Sequence, residues 1–368
     1  MNLPADEKIY YLAFSRLGFI GPVKFDQLLK YFGSAKKAFF APISEYAVFA
    51  WNENQLTRFT ELKKTFSPEK ELQQMERQGI KMVIAGEEEY PPNLKEISDA
   101  PYVLYIRGEL KPEDKLALAV VGSRRMSSYG FQVIETLIPE LVLSGLTLVS
   151  GLAFGVDYAV AKVALDNGGR SIAVLASGVD VVTPRTNEDL ARRLLETGQG
   201  AIVSELPPGT QPLPHYFPVR NRIISGLSLG TLVVEAAAKS GSLYTAEAAV
   251  EQGREVFAVP GSIFNPLTAG TARLLKEGAK MVLTAADILE ELNVETSKGQ
   301  IMAERELPQD GKEVELLEII GHDEIHVDLL AKGSGWKISD INSTLMSLEL
   351  KGLVKNLGAG VYRAARRK

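Results

Sequence analysis

The 368-residue chain contains no cysteine, which excludes disulfides, thiolate catalysis and cysteine-ligated zinc. Its three histidines, His215, His322 and His326, are too scattered to suggest a metal centre, and no metal or cofactor is expected. No run of eighteen apolar residues occurs, and the N-terminus MNLPADEKIY lacks the basic-then-apolar layout of a secretion signal. A cytoplasmic protein is expected. An excess of positive charge is also missing. The net charge is −5, so a polyanion could be held only by a local patch. Against these absences stands a hydrophobic content of 45%, enough to build substantial cores, in a chain long enough for two or three domains.

Residues 1–65 carry apolar side chains at helical spacing in KIYYLAFSRL and KFDQLLKYFGSAKKAFF. Between them GFIGP (Gly18–Pro22) forms a glycine-bracketed turn, with Pro22 suited to a helix start. Helices so joined resemble SAM and helix-hairpin-helix modules, and equally a plain helical interaction domain. Residues 66–110 then supply short strands over Lys81–Ala85 and Val103–Arg107, a lead-in to the main sheet. Over 111–295 the runs ALAVV, LTLVS, SIAVLAS, AIVSE, TLVVEA and EVFAVP alternate with helical segments. Continuous apolar runs of this kind predict an α/β domain with a parallel sheet buried on both faces. Pro139 is expected to kink or end its helix. NVETSKGQIMAERELPQDGK loses periodicity, and a linker is expected over 296–312. Three helical stretches and two short strands around Gly358–Gly360 then predict a winged-helix-like domain over 313–368.

The chemistry gathers where the strands end. Gly122-Ser123, Ser150-Gly151, Ser177-Gly178 and Pro260-Gly261-Ser262 each follow an apolar run, and Ser240-Gly241-Ser242 lies just beyond another. In an open parallel sheet these loops share the carboxyl edge, where ligands bind. Glycine permits close backbone approach there, while serine hydroxyls and helix-start amides donate to anionic oxygens. Arg124, Arg125, Arg185, Arg220 and Arg222 lie near the same ends. A guanidinium's flat fork suits phosphate oxygens and stacks on bases. Spread over several loops, five arginines fit a strand of phosphates better than a single nucleotide. The competing reading for any one of them is a structural ion pair with Asp157, Asp180, Glu205 or Glu235. Asp157, Glu205 and Glu235 could also do acid–base work. No nucleophile–histidine pair, metal cluster or Walker loop accompanies them, and Asp157 suits a helix start.

These same stretches carry a resemblance. VVGSRRMSSYG, VSGLAFGVDYAVAKVAL, SIAVLASGVDVVTPRTNEDL, FPVRNRIISGLS and VVEAAAKSGSLYTAEAAVEQGREVFAVPGS resemble, in order, the DNA-processing protein A (DprA, or Smf) family. The similarity extends upstream through EEYPPNLKEISDAPYVLYIRGEL and, more loosely, into both flanking modules. The resemblance implies an extended Rossmann-like fold over 66–295 that binds single-stranded DNA without sequence preference. It further implies a homodimer formed through that domain, and loading of RecA recombinase onto incoming strands during natural transformation. It implies no catalysis. Carried over to this chain, Gly122, Ser123 and Arg124 would hold backbone phosphate, and Arg185, Arg220, Asn221 and Arg222 would extend the basic pocket. Gly241, Ser242 and Thr245 would line the neighbouring loop, with Arg125, Gly151 and Ser225 completing the DNA-binding set. The chain departs from the family at Phe154, where arginine is usual, at Ala161 (histidine) and at Ala272 (asparagine). Phe154 could stack a base or pack against a neighbouring loop.

Two other functions fit parts of the sequence. Related Rossmann-like proteins with glycine-rich edges process nucleotides, for example by releasing the base of a nucleoside monophosphate. A winged helix can also bind duplex DNA. Residues 313–368, however, hold eight lysines and arginines against eight acidic residues, with Arg363 and Arg366–Lys368 at the very end. A neutral module has little with which to grip phosphate, which favours a protein-contact or accessory role.

Overall fold

The computed structural model describes residues 3–294, 311–321, 325–350, 353–358 and 360–364. Residues 296–310 of the expected linker, His322, and the basic residues Arg366–Lys368 lie outside that set. The chain forms two compact units, residues 1–295 and 296–368.

The first unit opens with helices α1 (Ala5–Ser15), α2 (Pro22–Phe32), α3 (Ala35–Phe40), α4 (Glu53–Thr65) and α5 (Pro68–Arg77). Pro22 takes the first position of α2, where its missing N–H costs nothing. The expected second helix is broken in two, because Gly33 turns left-handed (φ +82°) and Ser34 caps α3 by accepting from Lys37 N–H at 3.1 Å. These helices share a core with the sheet: Phe14, Phe25, Tyr46 and Phe59 belong to the same buried cluster as Tyr105, Ala161 and Ile202.

The sheet has nine strands, in the order β1-β2-β6-β5-β4-β3-β7-β8-β9. Strands β1 (Ile80–Ile84) and β2 (Val103–Gly108), joined across the short helix α6 (Pro92–Lys95), are antiparallel and extend it beyond β6 (Gly200–Ser204). From β3 (Ala117–Val121) the chain steps outward through β4 (Thr147–Ser150), β5 (Ser171–Val174) and β6, all parallel. It then crosses to the other side of β3 and runs through β7 (Gly230–Val233), β8 (Glu255–Ala258) and the two-residue β9 (Lys280–Met281). The order therefore reverses at β3, and a crevice opens beyond the ends of β3 and β7. The crossover helices are α7 (Ser128–Leu143), α8 (Val156–Asp166), α9 (Glu188–Glu196), α10 (Tyr216–Gly226) and α11 (Leu243–Glu251), followed by α12 (Ala269–Lys276) and α13 (Ala285–Glu291). Contrary to one expected outcome, Pro139 does not end α7, which continues to Leu143. The missing hydrogen bond frees only the carbonyl of Glu135, an exposed residue that water can serve.

The second unit packs α14 (Gly311–Ile320), α15 (Val327–Ser334) and α16 (Ile338–Leu350) around Leu316, Leu330, Ile341 and Leu345. A three-stranded antiparallel sheet, in the order Ile325–His326, Val361–Ala364, Val354–Gly358, completes the winged-helix layout. Among the described residues, no helix is long and apolar enough to cross a membrane.

Candidate nucleic-acid interface

The turn after β3 is fixed by loops on both sides. The Ser123 N–H donates to the carbonyl of Glu235, just past β7 (2.7 Å), and the Ser123 carbonyl accepts from the Val156 N–H at the start of α8 (3.2 Å). Gly155, at φ +73°, makes that approach possible, since a Cβ there would collide with the Ser123 carbonyl oxygen. Ser127 caps α7, its hydroxyl accepting from the Gly130 N–H at 3.3 Å. Between these anchors Arg124 and Arg125 are exposed, and among the described residues neither has a carboxylate partner.

The facing wall is one side of α10. Phe217, Arg220, Asn221 and Ile224 line the same cleft, spaced i, i+3, i+4, i+7 along the helix. Arg220 is buried: Nη1 donates to the carbonyls of Gly151 (3.0 Å) and Val174, and Nε donates to Asn221 Oδ1 (3.2 Å). It thereby ties α10 to the ends of β4 and β5. Burial pulls its guanidinium down to about 10, against the pull of Asp157 and helped by the nearby Arg124, so it stays a cation at neutral pH. Asp157 is buried as well, and its Oδ2 accepts from the N–H groups of Gly151 (3.1 Å) and Ala153 (3.4 Å). Burial pushes this carboxyl above its usual value, against the pull of Arg220 and of its donors. The guanidinium carbon of Arg124 lies 5.0 Å from the Phe217 ring centroid and that of Arg220 5.9 Å, so two cations address one ring.

The loop after β7 closes the cleft. Asn221 Nδ2 donates to the Gly241 carbonyl (3.2 Å), the Ser240 and Ser242 hydroxyls bond each other (2.8 Å), and Thr245 and the exposed Tyr244 line the same side. The result is an open cleft of about 690 Å³ with two free arginines, hydroxyls and an aromatic ring.

Of the expected DNA contacts, the structure thus brings together Gly122, Ser123, Arg124 and Arg125 with Arg220 and Asn221, and adds Gly241, Ser242 and Thr245. The others stand elsewhere. Gly151 does not line the cleft; it makes room for the Arg220 guanidinium, which a Cβ would strike. Arg222 points off the cleft face of α10 and is held by Glu205 and by Asp99 (3.1 Å). Ser225 is fully buried, its hydroxyl donating to the Asn221 and Arg222 carbonyls of its own helix at 3.4 and 3.2 Å. Arg185 is exposed in the turn Arg185–Asn187, outside the cleft lining and with no carboxylate partner among the described residues. Glu205, half-buried on Arg222, and Glu235, buried on Ser127, lie away from the lining too. Sequence reasoning missed Phe217 and Tyr244. The signal for Phe217 was present, three and four residues before Arg220 and Asn221.

The family departures fall in three different settings. Phe154 is about half exposed beside the cleft residue Ala153, Ala161 is buried in α8, and Ala272 is exposed on α12. A histidine at 161 would need a polar partner inside an apolar cluster.

Comparison with known proteins places this architecture. The family model for DNA recombination-mediator protein A matches residues 81–293, and that for the DprA winged helix domain matches 302–360. Protein Smf of Escherichia coli is 42% identical over 298 residues, covering 79% of this chain and 79% of its own length. The DNA processing protein DprA of Bacillus subtilis is 44% identical over 216 residues, or 58% of this chain and 72% of that protein. The X-ray structure of DprA from Streptococcus pneumoniae superposes with a TM-score of 0.66 at 37% identity, covering 79% of this chain and 99% of that one. DprA from Helicobacter pylori, whose structure describes a single-stranded DNA binding mode, gives a TM-score of 0.52 at 28% identity over 58% of this chain and 95% of that one. Both domains and the strand-end motifs are thus matched, and the chain belongs to the DNA recombination-mediator protein A (DprA/Smf) family.

Proposed function

We propose that this chain binds single-stranded DNA in the β3/β7 cleft and, as a homodimer, delivers it to RecA recombinase during transformation without catalysing a reaction. The observation that carries the binding reading is the pairing of free cations with a half-buried ring that lines the cleft. Arg124 and Arg125 have no carboxylate to satisfy them among the described residues, and Phe217 lies beside Arg124. Phosphates attract the first and any base can stack on the second, so little sequence preference follows. The cleft is open rather than enclosed, which suits a strand passing through. The single-stranded DNA binding mode of the Helicobacter relative supports the same reading. Family membership supports the recombinase and homodimer parts. For the nucleotide-processing alternative, Glu235 would have to reach a substrate, yet its carboxylate is fully buried on Ser127.

The test is a titration of fluorescent single-stranded and duplex oligonucleotides at two salt concentrations. Wild type should prefer the single strand, with affinity falling steeply as salt rises. Arg124→Ala should weaken binding to all sequences and flatten the salt dependence by about 0.7 for each phosphate no longer neutralised. Unchanged affinity and slope in that variant would remove the phosphate role.

A further inference from the structure

Glu235 lies just beyond β7, fully buried, and is not part of the cleft lining. A carboxylate in that position needs hydrogen-bond donors to be tolerated. Those it has belong almost entirely to one segment. Its Oε2 accepts from the Ser127 N–H (2.9 Å) and its Oε1 from the Ser127 hydroxyl (2.6 Å), with Asn265 Nδ2 farther off at 3.5 Å. The main chain of the same residue accepts from the Ser123 N–H. One residue therefore grips positions 123 and 127, the two ends of the turn that carries Arg124 and Arg125. The space around it has no slack. A Cβ at Gly122 would stand 3.0 Å from the Glu235 carbonyl oxygen, and one at Gly130 would stand 2.5 Å from Oε2.

We propose that Glu235 is the positioning residue of the phosphate grip, setting the 123–127 turn so that two adjacent guanidiniums are presented together without itself touching DNA. The assignment rests on the single-strand reading above. Neighbouring like charges repel, and an exposed arginine loses rotamer freedom when it takes one orientation. A turn anchored at both ends removes the backbone part of that cost before the strand arrives.

The experiment uses the full chain and a fluorescent oligo-dT strand, with binding measured at two salt concentrations and melting temperature recorded alongside. The variants are Arg124→Ala, Glu235→Ala, Ser127→Ala, Gly130→Ala and the double variant Arg124→Ala/Ser127→Ala. Glu235→Ala and Ser127→Ala, measured where both are folded, should weaken binding about tenfold, the cost of ordering roughly one backbone residue of the freed turn when the strand binds. They should also flatten the salt slope by about 0.7 or more. Gly130→Ala, which pushes on the carboxylate from the other side, should act in the same direction. The double variant should lose clearly less than the product of the two single losses, because the Arg124 half of the grip is already gone and only Arg125 is left to be misplaced. A merely structural lesion would lower the melting temperature and leave the slope in place. If Glu235→Ala does not fold, Ser127→Ala removes the same anchor from a half-buried site. Weakened binding by Arg124→Ala, alongside unchanged affinity and slope in folded Ser127→Ala, overturns the assignment alone. Additive losses in the double variant do the same. Arg124→Ala indistinguishable from wild type removes the phosphate role of the turn, and the assignment with it, whereas a wild-type chain that does not bind the oligo-dT strand overturns the single-strand reading itself.

Discussion

Arg124 and Arg220 share a cleft and a ring but do different work, and stability measurements should separate them. Arg124 is exposed and unpaired with any carboxylate among the described residues, so Arg124→Ala should leave the urea midpoint nearly unchanged. Arg220 holds the carbonyls of Gly151 and Val174 and is the cation facing buried Asp157. Arg220→Ala should cost about 3–5 kcal/mol in urea unfolding, because it leaves a buried charge unmatched. The pH dependence of that loss has a definite sign. Burial already raises the Asp157 carboxyl above 3.8 in the wild type, with Arg220 opposing the rise. Removing Arg220 should raise it further. A carboxyl raised in the folded state contributes stability that is fully present below its unfolded value and lost as pH rises through the folded one. The deficit of Arg220→Ala should therefore be largest at pH 7 and shrink on acidification. A deficit independent of pH would mean that Asp157 is not the charge left behind.

At the scale of elements, α10 shows what could and could not be read from sequence. FPVRNRIISGLS offers arginines at 220 and 222, and chemistry alone does not distinguish them. Helical phase separates them: Phe217, Arg220, Asn221 and Ile224 share a face, while Arg222 falls on another and meets Glu205. Applying that period would have added Phe217 and removed Arg222, but not Ser225, which keeps the phase and is lost to the cleft only through burial against its own helix. The glycine loops were legible because their composition has a backbone reason. The anchor at Glu235 was not, because its partner Ser127 lies more than a hundred residues away and only the β3–β7 pairing brings them together. A second element follows the opposite acid–base logic. Asp287 opens α13 by accepting from the N–H groups of Leu283 and Thr284, both at 2.8 Å, and these donors hold its carboxyl below 3.8. A lowered carboxyl stabilises above its unfolded value and ceases to as pH falls through the folded one. Asp287→Asn should therefore melt lower than wild type at pH 7 and converge with it as the pH falls through the lowered folded-state value. Parallel melting curves at all pH values would show that those amides have no preference for the anion.

At the scale of the molecule, the question is whether the grip needs both units. Every residue lining the cleft lies before position 295, and the last strand of that unit, β9, is complete by Met281. The second unit adds little charge. Over 313–368 its acidic and basic residues balance, and the side chains its helices expose include Leu329, Ile338 and Met346 rather than a basic row. Since phosphate contacts dominate affinity for nucleic acid, such a module should contribute little to it. Apolar side chains on a neutral surface are better suited to another protein than to a duplex. A chain ending at Val294 should consequently keep single-strand affinity within about twofold of the full protein, with the same salt slope. The full chain should gain no duplex preference over it. A tenfold loss of single-strand affinity on truncation would instead place phosphate contacts in the winged helix, and the balance of charge there would have misled.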